Sequence, residues 1–127
     1  MKKLWIFILP FAFLQACTFE NEEDTYGDLC DTTSITYSQT IRPIFEQSCY
    51  SCHSVGNANT NGGGLDLQTY ANLKDYLDGA QKYFISAIRR EEFNGVSASQ
   101  MPKDLPKLKI CEIKKIEMWI ADGYPEN

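Results

Sequence analysis

Cys49-Tyr50-Ser51-Cys52-His53 is the stretch on which the reading of this chain turns. Two residues between the thiols suit one helical turn, so both sulfurs reach the same edge of a flat ligand. Thiols are soft nucleophiles, and the imidazole that follows them is a metal ligand. A Cys-x-x-Cys-His run is the attachment signature of a c-type haem: the thiols add across the vinyl groups, and the histidine is carried beneath the ring plane to bind iron. Three other uses compete. A redox-active Cys-x-x-Cys belongs to a βαβ context, and strand signals are missing here. A four-cysteine zinc site can be drawn from Cys30, Cys49, Cys52 and Cys111. A chance match is the third. His53 is the only histidine in the chain and directly follows the second cysteine, which favours haem.

Upstream of the motif, Ser38 is a good N-cap, and Pro43 must lie near the start of the helix that follows. Ile41, Ile44, Phe45, Ser48 and Cys52 fall on one helical face, so one helix presents the apolar stripe and the cysteines to the same side. Downstream, residues 55–64 form a polar loop. Gly62-Gly63-Gly64 lets its backbone turn or approach the haem edge closely. A short helix is expected from Thr69, carrying Tyr70, Leu73 and Leu77, with Asp78-Gly79 breaking it. Ala80, Tyr83, Phe84, Ala87 and Ile88 then follow helical spacing as core or pocket wall, with Arg89 and Arg90 in the last turn. Residues 91–108 read as irregular. A final helix is expected from about Lys109 to Asp122, stopped by Gly123 and Pro125, with Ile113, Ile116 and Ile120 on one face. No stretch reads as a paired strand.

The N-terminus is of a different kind. Lys2 and Lys3 precede an apolar run, Leu4 to Leu14, too short to span a bilayer but fitting the core of a secretory signal. It ends in Leu14-Gln15-Ala16-Cys17, which resembles the lipobox of bacterial lipoproteins. That resemblance implies a signal peptide over 1–16, lipid on Cys17, and a chain exported and anchored to a bacterial membrane on the periplasmic side or the cell surface. An ordinary signal with a free Cys17 is the alternative. Residues 17–34 then form an acidic tether, and 35–127 the folded domain. Acids just after the lipid cysteine resemble the surface-export signals of some Gram-negative lipoproteins. Without 1–16 the chain has ten basic and seventeen acidic residues, a formal charge of −7. Such a balance argues against nucleic acid and against a polybasic membrane patch. With one cysteine for lipid and two for haem, Cys30 and Cys111 are left over. In an oxidising compartment they are most simply a disulfide, closing a loop of about 80 residues; two free buried thiols are the alternative.

With a single histidine, the second axial ligand to a haem iron must be something else. Methionine is the usual soft partner. Met1 leaves with the signal, and Met118 faces away from the apolar stripe of its helix. Met101 sits before Pro102 on the irregular stretch and is the expected ligand. If it is packing filler instead, the iron is five-coordinate or takes lysine or water.

Taken together, Ile41-Arg42-Pro43-Ile44-Phe45, the Cys49–His53 motif, Gly63-Gly64-Leu65, Met101-Pro102, and Ile116-Glu117-Met118-Trp119-Ile120 with Gly123 resemble a small class I cytochrome c of the bacterial lipoprotein type. The resemblance covers nearly all of 35–125. It implies an all-α fold wrapped round one covalent haem c, with the first and last helices crossing near Phe45 and Trp119. It also implies thioethers at Cys49 and Cys52 and axial ligation by His53 and Met101. Many relatives have a proline soon after the motif, in the region that supplies a carbonyl to the ligating histidine. Here no proline occurs between Pro43 and Pro102, so the partner of His53 is unassigned.

The function expected is a membrane-anchored one-electron carrier rather than an enzyme. No second histidine is available for a peroxidase-type pocket, and no nucleophile–base pair is evident. An open iron site for peroxide or a small gas is one alternative; a haem subunit of a larger oxidoreductase is another. The acidic balance predicts redox partner proteins with a basic docking face.

Overall fold

The computed structural model describes residues 30–127. The expected signal peptide, Cys17 and most of the acidic tether lie outside the described residues. A π-helical turn at Tyr37–Ile41 leads into α1 (Arg42–Ser48) and the single turn α2 (Tyr50–His53). A long α3 (Tyr70–Arg89) follows, then a hairpin of β1 (Glu92–Phe93) and β2 (Val96–Ser97), and finally α4 (Ile110–Ala121). The described residues are thus mostly helical, as expected. No helix among them is long and apolar enough to cross a membrane.

Three local expectations need correction. Thr36, not Ser38, caps the first helical segment: its hydroxyl accepts from the Gln39 amide at 3.2 Å. The amide of Ser38 instead donates to the Asn127 carbonyl at 2.9 Å. Pro43 does sit in the first turn of α1, where the missing N–H costs nothing. The motif does not ride on one continuous helix either. Cys49 (φ −121°, ψ −38°) separates α1 from α2. The break expected at Asp78-Gly79 falls at the next residue, Ala80 (φ −137°, ψ 22°), where a kink divides α3 into two helical stretches.

The third correction is the hairpin. Glu92 pairs with Ser97 and Phe93 with Val96, antiparallel. Asn94 and Gly95 both have positive φ, 53° and 77°. Those are the demands of a type I′ turn, and Asn-Gly is its strongest sequence signal. The signal was present in the sequence, but the flanking strands are only two residues each.

The core lies where the π-turn, α1, α3 and α4 meet. Ile41, Phe45, Leu73, Leu77, Ile116 and Trp119 are its most buried side chains. Phe45 and Trp119 meet edge to face at 6.4 Å, and Tyr37 stacks on Trp119 at 5.6 Å. Burying a side chain such as Phe45 is worth roughly 1.5–3 kcal/mol. The apolar face of α4 is the expected one, with Ile113, Ile116 and Ile120 buried and Met118 exposed. Its N-terminus is held by Glu112, whose carboxylate accepts from the Lys109 amide at 2.8 Å. Past α4, Trp119 Nε1 donates to the Pro125 carbonyl at 3.0 Å, and Tyr70 Oη to the Tyr124 carbonyl at 2.7 Å. The sulfurs of Cys30 and Cys111 lie at bonding distance, 2.06 Å, pinning the start of α4 to the segment before the π-turn.

Candidate cofactor site

A cavity of about 900 Å³ opens beside the motif. Cys49, Cys52 and His53 line one wall. Phe84, Ala87 and Ile88 of α3 line another, and the loop from Ser99 to Leu105 forms a third, with Met101 in it. The residues named from the sequence as tethers and axial ligands therefore border one space. The volume is at the upper end of the range that takes a cofactor-sized ligand.

The His53 wall is fixed by its own neighbourhood. His53 Nδ1 lies 3.0 Å from the Leu65 carbonyl oxygen. A carbonyl only accepts, so Nδ1 carries the proton and Nε2 keeps its lone pair. Such a contact sets the tautomer. The loop between them is folded back by a second bond, from the Leu67 amide to the His53 carbonyl at 2.9 Å. Gly62 is the residue that lets this happen. A Cβ there would stand 2.6 Å from the Cys52 carbonyl and 3.0 Å from His53 Nδ1. The expected close approach is to a haem edge; the one Gly62 makes is to the motif itself. Gly63 and Gly64, with φ of 62° and 85°, then turn the chain toward Leu65. Neither Leu65 nor Gly62 was identifiable as a partner of His53, since any residue can offer a carbonyl.

Both motif thiols are unpaired and half-buried, and burial pushes the pKa of Cys49 up to about 12. Cys30 and Cys111 are joined to each other, which removes the four-cysteine zinc site. Among the described residues no group of three His, Cys, Asp or Glu side chains is placed to hold a metal ion.

The Met101 wall is less regular. Its amide donates to the Ala87 carbonyl near the end of α3 at 3.0 Å. Nearby, the Ser99 amide donates to Tyr83 Oη at 3.2 Å, and the two hydroxyls lie 2.9 Å apart. These contacts from the Ser99 side chain and amide hold the Tyr83 hydroxyl below the ordinary tyrosine range. The charged residues lining the cavity are Lys103 and Asp104, one of each sign.

The donor set fits a covalent haem: an imidazole with its tautomer fixed, a thioether across the same space, two thiols at one edge, and apolar walls. Compared with family models, curated proteins and solved structures, the chain matches none.

Proposed function

We propose that this chain is a monohaem c-type cytochrome, anchored to a bacterial membrane by lipid on Cys17, that carries one electron between partner proteins. The observation that carries the reading is that Cys49, Cys52, His53 and Met101 all border one cavity of about 900 Å³. Cys49 and Cys52 would tether the haem as thioethers; His53 and Met101 would be its axial ligands. The haem would supply the ferric–ferrous couple. What the chain adds is position and exclusion. The Leu65 carbonyl keeps Nε2 of His53 available in both redox states. Phe84, Ala87 and Ile88 are each 5 % exposed or less, and their wall would exclude water from a bound haem. A thioether opposite imidazole favours the reduced state and raises the potential.

The partner is a protein with a basic face, and transfer slows as salt rises. Steering comes from acids beyond the rim, since Lys103 and Asp104 at the rim offset each other. The test is an optical spectrum of the protein matured with a haem-attachment system. Haem that survives acid–acetone extraction, a sharp reduced α band and a weak near-infrared Met–iron band are expected. Met101→Ala should keep the haem, lose that band, lower the midpoint potential and bind carbon monoxide when reduced. An unchanged spectrum and potential in Met101→Ala would remove Met101 from the iron. Intact mass of the membrane-extracted protein, expected to show acylation at Cys17, tests the anchor.

A further inference from the structure

Arg89 and Arg90 end α3 side by side, and their side chains go to different places. Arg89 pairs with Glu117 of α4 and with Glu91 at 3.6 Å. Arg90 has no carboxylate partner among the described residues. Its Nη2 instead donates to two backbone carbonyls of the loop after Met101, those of Pro102 at 2.8 Å and Leu105 at 2.7 Å. On the other side of that loop, the Met101 amide is held by the Ala87 carbonyl, which the Arg90 amide also uses. Ala87 lies in the last turn of α3, where carbonyls have no helical partner of their own. The peptide around Met101 is therefore fastened at both ends to one helix terminus.

The backbone of Arg90 makes this assignment sharper. It caps α3 in the left-handed conformation, φ 60° and ψ 39°. Glycine adopts that conformation freely, and an L side chain is strained there. A cap alone calls for glycine. The arginine is a cost to the cap, and what it adds is the reach of its guanidinium to the loop.

We infer that Arg90 is a positioning residue for Met101, holding the loop 101–105 closed so that the thioether stays on the iron. The inference rests on the His53/Met101 reading above. An external ligand reaches the iron only when Met101 is away, so its apparent affinity scales with the fraction of open loop. Charge-assisted hydrogen bonds are among the strong ones. Removing two of them should raise that fraction substantially.

The experiment uses haem-loaded protein and titrates imidazole onto the ferric form. Arg90→Gly keeps the helix cap and removes the clamp. We expect it to melt close to the parent, to bind imidazole about tenfold more tightly or better, and to exchange the Met101 amide proton faster. Arg90→Gln serves if the glycine variant fails to mature, with the same expectation. Arg89→Ala is the control for general loosening of this helix end, and should leave imidazole affinity within about twofold of the parent. Parent-like affinity and amide exchange in the Arg90 variant overturn the clamp alone. An equal shift in Arg89→Ala also overturns it, because the effect would then belong to the helix end. A parent without a Met–iron band overturns the ligation and the clamp together.

Discussion

The two walls of the cavity are built in different ways. On the His53 side the fastenings lie in the loop that follows the motif. The contacts to Leu65, Gly62 and Leu67 span at most fourteen residues and draw on a tight glycine approach. On the Met101 side the ligand candidate sits on a loop with no regular structure, tied to the end of α3 by Ala87 and Arg90. Both sets of ties span similar lengths of chain, so loop closure does not separate them. One wall is held by the backbone and by a glycine with no room for a Cβ; the other is held by one backbone bond and a single arginine side chain. Ordering a long arginine costs rotamer entropy, so the second wall is the one expected to open first. The first wall carries the two thiols, and the second carries the Met101 thioether.

The largest effect that tests this contrast is loss of the tethers. Cys49→Ala with Cys52→Ala should abolish haem that survives acid–acetone, whereas Met101→Ala retains it. Equal loss in both would show that the walls are not divided between holding and gating. Next in size is the disulfide, which belongs to neither wall. Replacing Cys30 and Cys111 with serine should cost about 2–4 kcal/mol in denaturant unfolding while the Met–iron band persists. Loss of the band would mean that the pin on α4 also sets the Met101 loop.

A smaller and more local test is Gly62→Ala. The added carbon meets backbone at 2.6 Å, so a loss of roughly 1–3 kcal/mol is expected. Gly56→Ala, in the same loop with nothing within 4 Å, should stay within about 0.5 kcal/mol of the parent. Matching melting curves for the two would show that the His53 wall tolerates displacement.

The smallest effect is on acid stability. Asp66 follows Leu65 directly. Burial works to raise its pKa, but hydrogen bonds from the Thr69 and Asn72 side chains and the Gln68 and Thr69 amides outweigh it and lower it. Asp78 is lowered by the Lys74 ammonium and then by the Tyr124 hydroxyl. A carboxylate whose folded pKa lies below its unfolded one adds stability above about pH 4, and that contribution is lost as pH falls through the folded value. Asp78 is exposed and Asp66 lies half-buried at the surface, so the change is slight. Melting temperature should be level from about pH 5 to 7 and fall below about pH 4, and Asp66→Asn should flatten that fall. An identical acid limb in the variant would show that Asp66 does not link Leu65 to the start of α3.

Much of this was legible before any fold was known. The Cys49–His53 motif and the apolar faces of α1 and α4 follow from residue type and helical period, which are local properties. Counting cysteines left Cys30 and Cys111 as a pair. Other features were present but weak. Asn94-Gly95 demanded a turn, yet two-residue strands leave no alternating pattern to read. Asp78-Gly79 marked a break, which falls one residue later at Ala80, while Leu77 and Phe84 on either side of it are both buried.

The sequence by itself determined the chemistry available: two thiols, one imidazole, one thioether in a proline-bearing stretch, and helices to frame them. Tertiary structure alone decided who holds those groups. The acceptor for His53 Nδ1 is a leucine carbonyl, and the partners of the Met101 loop are an alanine carbonyl and an arginine fork eleven residues before it in sequence. Backbone carbonyls are the same in every residue, so no side-chain pattern marks which of them a fold will use.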